Sequence, residues 1–232
     1  MKKAMTLALI AAMPMFIYAA SDKATLDERL DESKLVIDEI MHTPDKGVPD
    51  SVMRNATCVA VVPSLKKAAF VIGGQYGQGV VTCKTGTRWS APVFIRMVGG
   101  SWGLQIGAEG TDLVLIAVNE KGMQDLLKSK FKIGADAAAV AGPVGRNAEA
   151  STDWKLNAEL LTYSRSKGLL VGINLDGTSV SQNTDDTDSF YGGSAQSGQS
   201  ILRGAVPTPP AAQPFVHTVA EFSRAAHESA SR

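Results

Sequence analysis

Gly99-Gly100-Ser101-Trp102-Gly103 fits G-x-S-x-G, the pattern in which a serine nucleophile sits on a sharp strand-to-helix turn. Such an elbow needs a helix directly after the serine, and a base and an acid further along the chain. The residues after Gly103, LQIGAEGTDLVLIAV, read instead as β text with a glycine-containing turn. The downstream histidines, His217 and His227, lie close to the C-terminus, and His42 lies upstream. Glycines at this spacing fit closely approaching strands better than an elbow. A serine hydrolase using Ser101 is therefore the most remote of the functional readings, and the chain reads as a non-enzyme with no catalytic residues and no cofactor.

Two other stretches invite a chemical reading. GGQYGQG, from Gly73 to Gly79, could cradle a phosphate only at a helix N-terminus. Strand-like VVTCKTG comes after it, so a glycine-rich hairpin is the expectation. NTDDTDSF offers Asn183, Asp185, Asp186 and Asp188 as hard oxygen ligands. Counted from Asn183, an EF-hand would need Gly and Glu where Asp188 and Ser194 stand. A solvated acidic segment, either a turn or one helical turn, is the expectation, and no metal site is predicted.

Basic residues beside apolar ones suggest a different chemistry. Lys66 and Lys67 follow Leu65 in an expected loop, Lys128, Lys130 and Lys132 surround Phe131, and Arg165 and Lys167 precede a strand. An apolar side chain flanked by lysines can dip into a membrane interface while the charges engage phosphates. Solvated strand ends are the plainer alternative. Cys58 and Cys83, the two cysteines of the chain, both sit in β-like runs. They read as a disulfide if the compartment is oxidising, or as two buried thiols; no histidine lies near them, which disfavours a metal pair.

The elements that would position these residues are set by periodicity. Residues 1–20 combine Lys2 and Lys3, an apolar run too short to span a bilayer, and small residues at Ala19-Ala20, the layout of a secretory signal peptide. No cysteine stands just after the expected cleavage point, so a lipoprotein is not expected. The product is expected to be exported, periplasmic or envelope-associated. Removing that segment leaves 21 basic against 23 acidic residues, which disfavours nucleic acid as a partner. Residues 21–232 read as one domain. A helix is predicted over 22–42, with Asp22 as its cap, apolar Leu26, Leu30, Ile37, Ile40 and Met41, and a net charge of −4. PDSVMRNA reads as a short helix, and short apolar segments from Thr57 to about Val118 read as strands. Asn119 should cap another helix, and Asp176-Gly177 signals a hairpin. Residues 193–213 read as a linker or wrapping tail before a closing amphipathic helix. The fold class is α+β, with many short, mainly antiparallel strands in a twisted sheet or partly closed barrel between N-terminal and C-terminal helices.

PSLKKAAFVIGGQYGQGVV, WSAPVFIRMVGGSWGLQIGAEGTDLVLIAVNEKG, KIGADAAAVAGPVGR and LLTYSRSKGLLVGINLDG, taken in this order and followed by FYG, resemble the SYLF domain over roughly residues 25–230. The resemblance implies a lipid-binding domain, with phosphoinositides as ligands and a basic N-terminal helix at the membrane in eukaryotic members. It also implies actin binding in some yeast relatives, which is not expected of an exported chain. The helix over 22–42 departs from this pattern by being acidic. The leading expectation is a bacterial envelope protein that binds anionic phospholipid or phosphoinositide-like headgroups through Leu65, Lys66, Lys67, Lys128, Lys130, Lys132, Arg165 and Lys167. The alternative is a structural or protein-interaction role with a partner held by the C-terminal segment.

Overall fold

The computed structural model describes residues 21–43, 47–70, 72–102, 110–145, 158–166, 169–170, 173, 175–193 and 196–231. The expected signal segment and Lys167 lie outside them. Helix α1 (Lys23–Met41) starts where predicted, with the Asp22 carboxylate accepting the Thr25 N–H at 2.8 Å. Its buried stripe contains the expected Leu26, Leu30, Ile37 and Ile40, joined by Arg29, Ser33 and Val36. A short α2 (Asp50–Asn55) leads into β1 (Cys58–Phe70), β2 (Ile72–Thr85), β3 (Arg88–Trp89), β4 (Val93–Trp102) and β5 (Gly110–Ala117). Asn119 then caps α3 (Glu120–Leu127) by accepting the Gly122 N–H, as its position predicts. Next come β6 (Lys130–Lys132), β7 (Ala139–Ala141), β8 (Leu160–Ser166), β9 (Leu169–Leu170) and β10 (Ser179–Gln182). The chain closes with α4 (Thr184–Tyr191), α5 (Gly198–Leu202), a 3-10 turn at Pro210–Ala212 and α6 (Gln213–Ser229).

The strands form one curled half-barrel in the order β6-β10-β4-β2-β1-β5-β8-β7, with β3 beside β2 and β9 beside β8. Only β7–β8 among the named strand pairs is parallel. Because side chains alternate across a strand, each strand feeds two cores. Ala60, Val62, Leu65, Met97, Leu115, Phe131 and Leu160 meet inside the curl. Val61, Phe94, Ile116 and Tyr163 face outward and are covered by α1, α2 and α6 through Leu26, Ile37, Val52, Phe215 and Val219. Cys58 and Cys83 face each other across β1 and β2, fully buried, and are joined as a disulfide.

Several expectations are corrected here. The central strands are long: β1 and β2 have 13 and 14 residues, and GGQYGQG lies in β2, the second arm of the β1–β2 hairpin. That hairpin reverses between Phe70 and Ile72, just ahead of the glycines. Lys66 and Lys67 are not in a loop but in β1, beyond a bulge where three steps from Val62 to Leu65 match two on β5. Ser64 sits in the bulge at φ 51°, its N–H donating to Asp112 Oδ1 at 3.1 Å. Close approach there requires the glycines of β2, since a Cβ on Gly79 would lie 2.0 Å from the Val61 carbonyl oxygen. Asp176-Gly177 does form a turn, with Gly177 at φ 80°. Yet the next strand, β10, pairs with β4 and β6 rather than folding back as a hairpin. NTDDTDSF takes the helical one of its two readings as the capped helix α4, and what differs from a solvated segment is Asp186, which is buried. Of the two readings of residues 193–213, the wrapping tail holds among the described residues, with Ile201 and Leu202 in the inner core and Ala212 in the outer one.

Candidate functional site

The outer face of the half-barrel is covered by helices over only part of its area. Beyond them an in-register row crosses five strands: Lys66 on β1, Tyr76 on β2, Val98 on β4, Ser179 on β10 and Lys132 on β6. A second row runs beside it through Gln78, Arg96, Ser181 and Lys130. Cross-strand partners point to the same side of a sheet, so both rows share one surface. Four strand spacings separate Lys66 from Lys132, about 19 Å along the sheet. Lys66, Lys130 and Lys132 are exposed and hold no ion pair among the described residues. Between them Tyr76 and Val98 are 40% and 49% exposed, large apolar groups left wet in the middle of a sheet. Arg96 is half-buried and donates to Asn183 Oδ1 at 3.1 Å.

Beside the Lys66 end of this surface, α1 and the bulge enclose a cleft of about 250 Å³. Its walls include Glu28, Arg29 and Glu32 from α1, Ser64 and Lys66 from β1, and Tyr76 and Gln78 from β2. Arg29 is fixed from behind, donating to Asp186 Oδ2 at 2.7 Å and to Gln78 Oε1 at 3.1 Å.

Three of the expected basic residues come together on this face and four of the expected contacts do not. Lys66, Lys130 and Lys132 share the outer surface. Leu65 is fully buried in the inner core and offers nothing to a membrane. Lys67, one residue on from Lys66, points to the inner face opposite Gln75, where burial lowers its pKa. Lys128 caps α3 and pairs with Asp125 at 2.5 Å, which raises its pKa. Arg165 is spent on Glu39 and on Asp112, the latter at 3.2 Å. Burial opposes its charge, but these hydrogen bonds outweigh it and hold the guanidinium above its ordinary pKa. Lys167 lies outside the described residues.

Sequence reasoning missed Tyr76, Val98, Arg96, Glu28 and Glu32. A signal for the sheet residues was present: Tyr76 and Gln78, Arg96 and Val98, Lys130 and Lys132, and Ser179 and Ser181 each stand two apart, the strand period. Ser101 lies in β4 opposite Gly73, with Trp102 after it still paired in the sheet opposite Ile72, and residues 103–109 lie outside the described residues. Among the described residues no group of three or more His, Cys, Asp or Glu could hold a metal.

Residues 98–222 match the family described as Ysc84, Las17-binding protein actin regulator. The chain is 34% identical to "Protein YSC84" of Saccharomyces cerevisiae over 74% of its own length and 37% of that protein's. It is 32% identical to "SH3 domain-containing YSC84-like protein 1" of Xenopus laevis, over 78% of this chain and 54% of the relative. The human protein of the same name is 30% identical over 78% of this chain and 53% of its own. The chain thus spans between about a third and a half of these relatives. With its half-barrel, its flanking helices and these matched residues, the chain belongs to the Ysc84, or SYLF-domain, family.

Proposed function

We propose that the protein is a non-enzymatic module that docks on anionic phospholipid, in an exported and envelope-associated setting, through the uncovered outer face of its sheet. One observation carries this reading: the row Lys66, Tyr76, Val98, Ser179 and Lys132, with cations at its ends and exposed apolar groups between. Lysines near an anionic surface contribute about 1 kcal/mol each. Tyrosine and valine between them supply apolar area that an interface can take up. Family membership supports a non-catalytic role, since the matching family is described by what it binds.

Flotation with phosphatidylglycerol-containing and with purely phosphatidylcholine vesicles tests the proposal. Binding should require the anionic lipid and fade as salt shortens the screening length. Lys66→Gln combined with Lys132→Gln should weaken it by about 2 kcal/mol, roughly 30-fold. Lys67→Gln should leave it unchanged, because Lys67 faces inward. Equal losses from both variants would remove the outer face from the assignment. Absence of binding to any vesicle would favour the second reading, a protein-interaction role, which draws on the family's description as a Las17-binding regulator.

A further inference from the structure

The cleft beside Lys66 has a charge pattern that an anion-binding surface alone does not explain. Glu28 and Glu32 stand one turn apart on α1 and both line it. Neither has an ion-pair partner among the described residues. The cation nearest to them in the chain, Arg29, is committed to Asp186 and Gln78. Partial burial and the neighbouring Glu28 charge raise the Glu32 carboxyl above its ordinary pKa, against the pull of Arg29. Lys66, with Ser64 and Tyr76 close by, supplies a cation and hydroxyls on the β side of the same cleft. The cavity therefore presents a carboxylate pair on one wall and an anion-binding group on the other.

We infer that this cleft takes the phosphoethanolamine headgroup of a membrane lipid, its ammonium between Glu28 and Glu32 and its phosphate against Lys66. The inference rests on the reading of the outer face as a lipid-docking surface, whose row begins at the same Lys66. A primary ammonium has N–H donors for two carboxylates, whereas a quaternary ammonium has none and is recognised by aromatic cages. Tyr76 is the one aromatic residue among those lining the cleft, which selects ethanolamine over choline. The volume of about 250 Å³ lies below the roughly 300–1,000 Å³ of sites for larger ligands, as a small headgroup requires. It also gives the acidic α1 a place at a membrane, through the lipid's cation instead of its phosphate.

Phosphatidylethanolamine and phosphatidylcholine are both net neutral, so exchanging one for the other at fixed phosphatidylglycerol isolates ammonium recognition from surface charge. Flotation of the purified protein should show several-fold tighter binding when ethanolamine lipid replaces choline lipid. Glu28→Gln with Glu32→Gln, both at exposed positions, should erase that preference and keep the salt-sensitive dependence on phosphatidylglycerol. Soluble phosphoethanolamine should compete away the preference, and soluble phosphocholine should not. Equal binding to both neutral lipids, a preference that survives in the double variant, or equal competition by the two soluble headgroups would each overturn the inference. None of these touches the parent proposal, which fails separately if phosphatidylglycerol has no effect.

Discussion

Arg29 is one of three basic residues on a helix segment that carries seven acidic ones, and the sequence offers no reason to single it out. Its importance comes from a residue 157 positions away: Asp186 on α4, buried like Arg29 itself. Asp186 also accepts the Ser21 N–H at 3.0 Å and the Asn183 amide at 2.7 Å, so its carboxylate is well satisfied. Removing one member of a buried pair strands the other, which typically costs 3–5 kcal/mol. Asp186→Asn should therefore lower unfolding stability by about 3 kcal/mol in urea, and Arg29→Met with Asp186→Leu should recover much of the loss. Asp185 and Asp188 could not be told from Asp186 in the sequence, because what separates them is a contact made by distant chain. Lys66 and Lys67 pose the converse problem. They are adjacent and identical in type, yet one is wet on the outer face and the other is half-buried on the inner one.

At the scale of elements, what was legible is what is local. The α1 cap at Asp22, the α3 cap at Asn119 and the apolar stripe of α6 at Phe215, Val219 and Ala226 depend on neighbours within a turn or two. The lengths of β1 and β2 do not. Glycines and Pro63 punctuate them like turns, but β1 runs on through Pro63 by bulging, and the β2 glycines make room for that bulge. The disulfide was one of several readings of two cysteines in β-like runs, and its register, Cys58 opposite Cys83, settles which. It closes 25 residues of chain, so Cys58→Ala with Cys83→Ala should reduce stability by roughly 3–4 kcal/mol on the chain-entropy account. Chemical denaturation of the variant and of wild-type protein would measure this. A drop below about 1 kcal/mol would mean that the β1–β2 ladder already restricts the unfolded chain.

Across the whole molecule, the first and last helices are one structural unit. α6 packs on α1 and α2, and Phe215, Val219 and Ala226 are buried in the core that Leu26, Ile37 and Val52 also build. Deleting residues 213–232 should therefore abolish cooperative thermal unfolding rather than release a tethered partner-binding tail, as circular dichroism would show. Truncation is for that reason a poor probe of protein interactions here, although the tail's composition suggested it. The balance of 23 basic and 23 acidic residues likewise conceals an uneven distribution. Lys66, Lys130 and Lys132 collect on the open sheet face while α1 carries the acidic excess beside it. Total charge was legible in the sequence; its separation onto two neighbouring surfaces required the strand order.

The bulge in β1 has a bearing on how the length of this chain can vary. Between Val62 and Leu65 the strand holds one residue more than its partner needs. Losing that residue would leave Leu65 opposite Thr111 and Lys66 opposite Tyr76, with every side chain beyond it on its present side. A one-residue deletion elsewhere in the paired part of β1 would instead shift the alternation and turn the two lysines over. Related chains can thus gain or lose a single residue at this point and keep the same wet surface, while the rest of the strand is held to a fixed count.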